Sequence, residues 1–158
     1  NLPEPSPEPE PAPAGNGIRP PTNCMDPATR QQLEDTMAVQ DHHLATHYGD
    51  WGTRFQQVVE PYGLTVRDTS RLWNVRSVPH AGGHPWNYHD WVYQNMLLAD
   101  SAAQRATVPD GTTLEAEKLI RRDIFVDQFT RTVSDVVAED PTIVRPGYWK
   151  CNDDYRWR

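Results

Sequence analysis

All six histidines of this 158-residue chain fall between positions 42 and 89. His42 and His43 are adjacent, and His47 follows four residues after the second of them. A later group holds His80, His84 and His89, the first two separated by three residues. Asp41 directly precedes the pair, and Asn74 lies between the two groups. Imidazole changes charge near neutral pH, which suits it to take a proton from water. Its neutral nitrogens also suit zinc, nickel and other first-row divalent ions. Adjacent residues on a strand point to opposite faces, so at a bent strand end one member of such a pair can hold an ion while the other reaches a water beside it. A base must also be held in one tautomer, and an Asn carbonyl accepting from the ring N–H does this. The chemistry these residue types predict is hydrolysis assisted by one divalent ion: zinc, magnesium, manganese or nickel.

The elements that must position these residues are a strand, a second strand and a helix. The short run Met37-Ala38-Val39-Gln40 predicts a strand that ends at the His pair, and Leu72–Val78 predicts a second strand around Asn74. Pro79 to His84 is a Gly-containing loop, and Pro85 opens a helix to about Ala99. Other helices flank this unit. Asp26-Pro27 is an N-cap followed by Pro at the first helical position, predicting a helix to about Met37. Phe55, Val58, Val59 and Tyr62 recur at helical spacing in a segment from Asp50 that Pro61 and Gly63 close. A long helix is expected from about Thr113 to Val137, and the aromatic-rich last 18 residues are expected as irregular structure or a short hairpin. The fold class is α+β, mainly α, with a small strand–strand–helix core. Trp51, Trp73, Trp86 and Trp91 are expected as core and site-wall residues.

Eight of the fifteen prolines lie in the first 21 residues, alternating with Glu, Ser and Ala. That pattern favours extended polyproline II and makes residues 1–22 a disordered Pro/Glu-rich linker, leaving 23–158 as the folding domain. The linker is expected to join a larger upstream module. No apolar run is long enough to span a bilayer, and without a basic segment followed by an apolar one near residue 1 no signal peptide is expected in this sequence. Net charge is −7, with −2 in the tail and −5 over residues 23–158. No region is basic, which argues against a protein that grips nucleic acid by charge alone, because phosphate neutralisation needs clustered Lys and Arg. An enzyme that brings a divalent cation to a phosphate is not excluded. The two cysteines, Cys24 and Cys151, bracket the folding region. They read either as two buried thiols or as a bonded pair that would clasp nearly the whole domain and need an oxidising compartment.

His42-His43-Leu44, Gly63-Leu64-x-x-x-Asp68, Asn74-Val75 and Pro79-His80-x3-His84-x3-Tyr88-x3-Val92 together resemble the AHH family of the HNH/endonuclease VII superfamily, over roughly residues 40–98. Trp86-Asn87…Trp91 is similar to a helix of related bacterial toxin domains. The resemblance implies a ββα-metal fold and a nuclease at the C-terminus of a bacterial polymorphic toxin. It implies that His42, His80 and His84 ligate the metal, that His43 is the general base, and that Asn74 orients it. Asp41, His47 and His89 are secondary candidates; Asp41 can itself ligate, and His84 with His89 forms a rival pair across the helix start. Arg71 and Arg76 are candidate phosphate contacts, with Arg54 and Arg67 beside them in sequence. The implied substrate is nucleic acid, DNA favoured. The implied partners are an immunity protein and a delivery protein, and the implied site of action is the target-cell cytoplasm after secretion. Two other readings fit the histidines. One is another metal-dependent hydrolase, although no HExxH is present. The other is a non-enzymatic secreted interaction module with a structural zinc site, which four ligands would close.

Overall fold

The computed structural model describes residues 17–40, 44–67, 75–77 and 84–150. The fold is mainly helical. Helix α1 spans Pro27–Glu34 and begins as the Asp26-Pro27 pair dictates: the Asp26 carboxylate accepts from the Thr29 N–H at 3.2 Å, and Pro27 needs no acceptor. It ends three residues before the expected Met37, where Asp35 and Thr36 turn the chain into β1. Strand β1, Ala38–Gln40, pairs antiparallel with β2, Val75–Ser77, so that Ala38 faces Ser77, Val39 faces Arg76 and Gln40 faces Val75.

Helix α2, Gly49–Val59, continues as a tight turn over Glu60–Tyr62. Gly63 then stops it in the left-handed region at φ 72°, a conformation that favours glycine. Phe55, Val58, Val59 and Tyr62 are buried, as their spacing predicts. Helix α3, Trp86–Arg105, is longer than the expected Pro85–Ala99 because nothing between Ala99 and Arg105 breaks a helix. It buries Tyr88, Trp91, Val92, Asn95, Met96, Ala99 and Ala103. Helices α2 and α3 run parallel. The Tyr88 hydroxyl donates to the Leu44 carbonyl at 2.8 Å, Trp51 lies against His89, Phe55 against Tyr93, and Gln104 donates to the Tyr62 hydroxyl at 3.0 Å. Tyr62 in turn donates to the Asp100 carboxylate. The N-terminal ends of the two helices therefore share one end of the molecule.

Helix α4, Leu114–Phe129, starts at Thr113, whose hydroxyl accepts from the Ala116 N–H at 3.1 Å. It packs on α3. Its Arg121 donates to the carbonyls of Ala103, Gln104 and Ala106 at 2.6, 3.0 and 3.0 Å, satisfying the open end of α3. The helix continues through a π-helical turn, Thr130–Ser134, into α5, Asp135–Glu139. Phe125, Phe129, Val133 and Val137, four residues apart, are all fully buried. The sheet lies against α5 and the following Pro141–Val144 turn.

The described C-terminal part is not a hairpin. Pro141–Val144 forms a 3₁₀ turn capped by the Asp140 side chain, and Pro146–Trp149 forms the one-turn helix α6. Each opens on a proline, which presets the helical φ. Trp149 is buried and donates to the Ile143 carbonyl at 2.8 Å.

Composition groups residues 17–22 with the tail, yet they form a strap bonded to the domain. The Ile18 N–H donates to Asn95 Oδ1 at 2.8 Å; the Ile18 carbonyl accepts from Trp91 Nε1 at 2.7 Å and Asn95 Nδ2 at 3.0 Å. The Tyr148 hydroxyl donates to the Pro21 carbonyl at 2.8 Å. Gly17 is required there: a Cβ would collide with Asn95 Oδ1 and come within 2.6 Å of Thr132 Cβ. Cys24 is disulfide-bonded, and the chain has one other cysteine, Cys151.

Candidate functional site

Of the sequence-derived candidates, His47, His84 and His89 fall within the described residues. Asp41, His42, His43, Arg71, Asn74, His80 and Cys151 lie outside them, and Arg76 is the β2 residue opposite Val39. Pro85 keeps His84 off the helix while His89 sits in the first turns of α3. The two rings meet, with centroids 5.8 Å apart at 58°. The rival pair named from the sequence is therefore brought together. Tyr88 lies between them in sequence and beside both in space, its ring 4.8 Å from His84 and 5.9 Å from His89.

His89 is lined by aromatic rings. Trp51 stacks on it at 5.7 Å and 28°, and Phe55 lies at 6.4 Å. Its Nδ1 is buried and has no hydrogen-bond partner among the described residues. Burial pushes its pKa below the ordinary imidazole value. The ring is thus kept neutral at neutral pH, the form that offers a lone pair to a cation. The Nδ1 of His84 is buried as well. These two imidazoles are the described side chains best suited to hold a divalent ion. No group of three or more His, Cys, Asp or Glu that could hold a metal occurs among the described residues. Two imidazole nitrogens alone would leave any ion there with open positions.

His47 stands apart from this pair. Its Nε2 is 3.3 Å from the Arg67 guanidinium. Arginine has only donors, so Nε2 is the acceptor of a hydrogen bond in that contact. Its ring lies 3.9 Å from that of Tyr48, which is 72% exposed. The Arg54 guanidinium sits 5.1 Å from the ring centroid of Trp51, the residue that stacks on His89, in a cation–π contact.

One further link ties the site together. Leu44 and Ala45, the residues that follow His43, are buried. The Leu44 carbonyl is held by the buried Tyr88 hydroxyl, whose pKa burial raises. The Tyr88 contribution escapes a search for titratable side chains, because its partner is a backbone atom. Its place in sequence, four residues after His84 and directly before His89, is the signal that could have found it. No family model matches the chain, and no curated protein or solved structure matches it.

Proposed function

We propose that this chain is a metal-dependent endonuclease domain that hydrolyses phosphodiester bonds, DNA favoured, by activating water with a histidine. The observation that carries this reading is the Tyr88 bridge. It fixes Leu44, the covalent neighbour of His43, beside the His84–His89 pair. In this reading β1, β2 and α3 are the ββα unit. The two strands that flank the His pair and Asn74 in sequence do pair, and α3 follows them.

His84 and His89 would supply neutral nitrogen ligands to the ion, with His42, His80 and Asp41 the candidates to complete the set. The ion would polarise a non-bridging phosphate oxygen and screen charge that develops on the scissile group. His43 takes the proton of the attacking water, and Asn74 holds its ring. Tyr88 positions the chain between the histidines. The histidines, the acidic domain and the Pro-rich segment ahead of it suit an effector delivered by an upstream protein and neutralised by an immunity protein. Among the described residues no helix is long and apolar enough to cross a membrane.

The test is plasmid cleavage by the full chain, with EDTA and with metal add-back. Cleavage that EDTA stops and a divalent ion restores is expected. His43→Ala should lose about 10²–10⁴-fold in rate with metal affinity retained, whereas His89→Ala should lose both. A wild-type rate in His43→Ala, or an EDTA-insensitive rate, refutes the mechanism. A tightly bound ion without any cleavage favours the structural zinc module instead.

A further inference from the structure

We infer that the exposed rings of Tyr48 and Trp86 form a base-stacking platform beside the histidines, so that the substrate is single-stranded or unpaired nucleic acid. The inference deepens the nuclease reading and rests on it for the identity of the polymer. Four large hydrophobic side chains are exposed among the described residues: Tyr48, Trp86, Leu114 and Leu119. The two aromatic ones both stand at the N-terminal ends of the parallel pair α2 and α3. Tyr48 is the N-cap of α2, and Trp86, 52% exposed, is the first residue of α3. Trp51 and His89, each three residues further along its helix, are in ring contact with one another. The exposed rings thus crown the end of the molecule that carries His84 and His89. Arg54 and Arg67 lie on the same helix and the segment that follows it, both exposed.

Charge decides which form of nucleic acid fits. A domain of net charge −5 cannot draw a polyanion by Coulomb attraction over its surface. The attraction must come from elsewhere, and exposed aromatic faces supply it through stacking on bases. In a duplex the base faces are already stacked on one another, so a protein ring reaches them only where the strand is unpaired. Exposure of aromatic rings that folding would otherwise bury, placed next to the proposed reacting centre on an acidic domain, therefore selects single strands.

The experiment measures fluorescence anisotropy of labelled oligothymidylate, of a backbone-matched abasic strand and of a duplex. It uses the full chain in EDTA, so that binding is read without cleavage. Oligothymidylate should bind tighter than either of the other two. Trp86→Ala and Tyr48→Ala should each weaken its binding between about fivefold and a hundredfold while leaving the abasic strand unchanged. Leu114→Ala, at an exposed residue on α4, should have no effect. Equal binding of duplex and single strand overturns the inference, as does unchanged oligothymidylate binding in both aromatic variants. Selective oligothymidylate binding without cleavage of either plasmid or single-stranded DNA once a divalent ion is added would remove the nuclease reading and leave the platform. Cleavage with unchanged binding in the variants would do the reverse.

Discussion

Replacing Asn95 by Ala should release the strap without unfolding the domain. The buried Asn95 amide holds Ile18 by two hydrogen bonds, accepting from its N–H at 2.8 Å and donating to its carbonyl at 3.0 Å. A third, to the Trp91 carbonyl, duplicates a partner that helix α3 already provides. Two net hydrogen bonds contribute about 1–3 kcal/mol, and a half-buried Ile18 N–H left without an acceptor moves the loss to the upper part of that range, about 2–3 kcal/mol. The remaining polar contacts of the strap are the Trp91 Nε1–H donating to the Ile18 carbonyl and the Tyr148 hydroxyl donating to the Pro21 carbonyl, whereas α3 is held by a buried apolar face, so the strap should detach before α3 loses its packing. Thermolysin, which cuts before bulky apolar residues, reports the detached state at the Gly17–Ile18 bond. Where the strap opens and closes fast relative to cleavage, the rate tracks the open population and should rise by about 30- to 150-fold. The far-ultraviolet circular dichroism of the domain should stay helical. An unchanged cleavage rate at Ile18 would refute the reasoning and return residues 17–22 to the linker.

Two further outcomes follow from the ends of the chain. Reduction, or Cys24→Ser, should lower the melting temperature: closing a loop from Cys24 to Cys151 stabilises by about 4–5 kcal/mol in the chain-entropy view. Mass spectrometry of oxidised protein that finds two free thiols would contradict the clasp. The Tyr148 hydroxyl is pushed up to about 12, first by burial and then by Asp140. The unfolded phenol titrates near 10, so the folded state holds this proton more tightly. Its stabilising contribution is complete below about pH 10 and is lost as pH rises through about 12. Tyr148→Phe should flatten that alkaline loss in denaturant titrations at successive pH values, and an identical alkaline limb in the variant would contradict it.

The helices were legible because their signals are local. Asp26-Pro27 caps α1 through its own side chain, and the spacing of Phe55, Val58, Val59 and Tyr62 names a buried face directly. The strap was not legible, because what holds Ile18 is its backbone N–H and carbonyl, which every residue type but proline carries. Composition around it speaks only of prolines. The site divides in the same way. His84 and His89 could be named as a pair from their spacing across Pro85. The aromatic surround of His89 depends on α2 and α3 running parallel, a tertiary fact that places Trp51 and Phe55 against a residue more than thirty positions away. Likewise, Trp86 is half exposed at the first turn of α3, so it is no core residue, whereas Trp91 five residues on is fully buried.

The π-helical turn at Thr130–Ser134 makes one stretch of the long helix tolerant of a change in chain length. Steps of four residues overshoot an α-helical turn by about 40° each, so three such steps from Phe125 would carry Val137 about 120° off the core. Absorbing one residue in the wider turn takes back about 100° and returns Val137 to the buried face. Removing a single residue there would convert the spacings to four, three and four, the natural repeat of an uninterrupted helix, with all four apolar side chains still facing inward. The same deletion within α4 would swing the stripe by about 100° toward solvent. Length variation in this helix is therefore confined to one turn. A homologous chain shorter by one residue at this turn can keep the same core, and its alignment gap should open between residues 130 and 134.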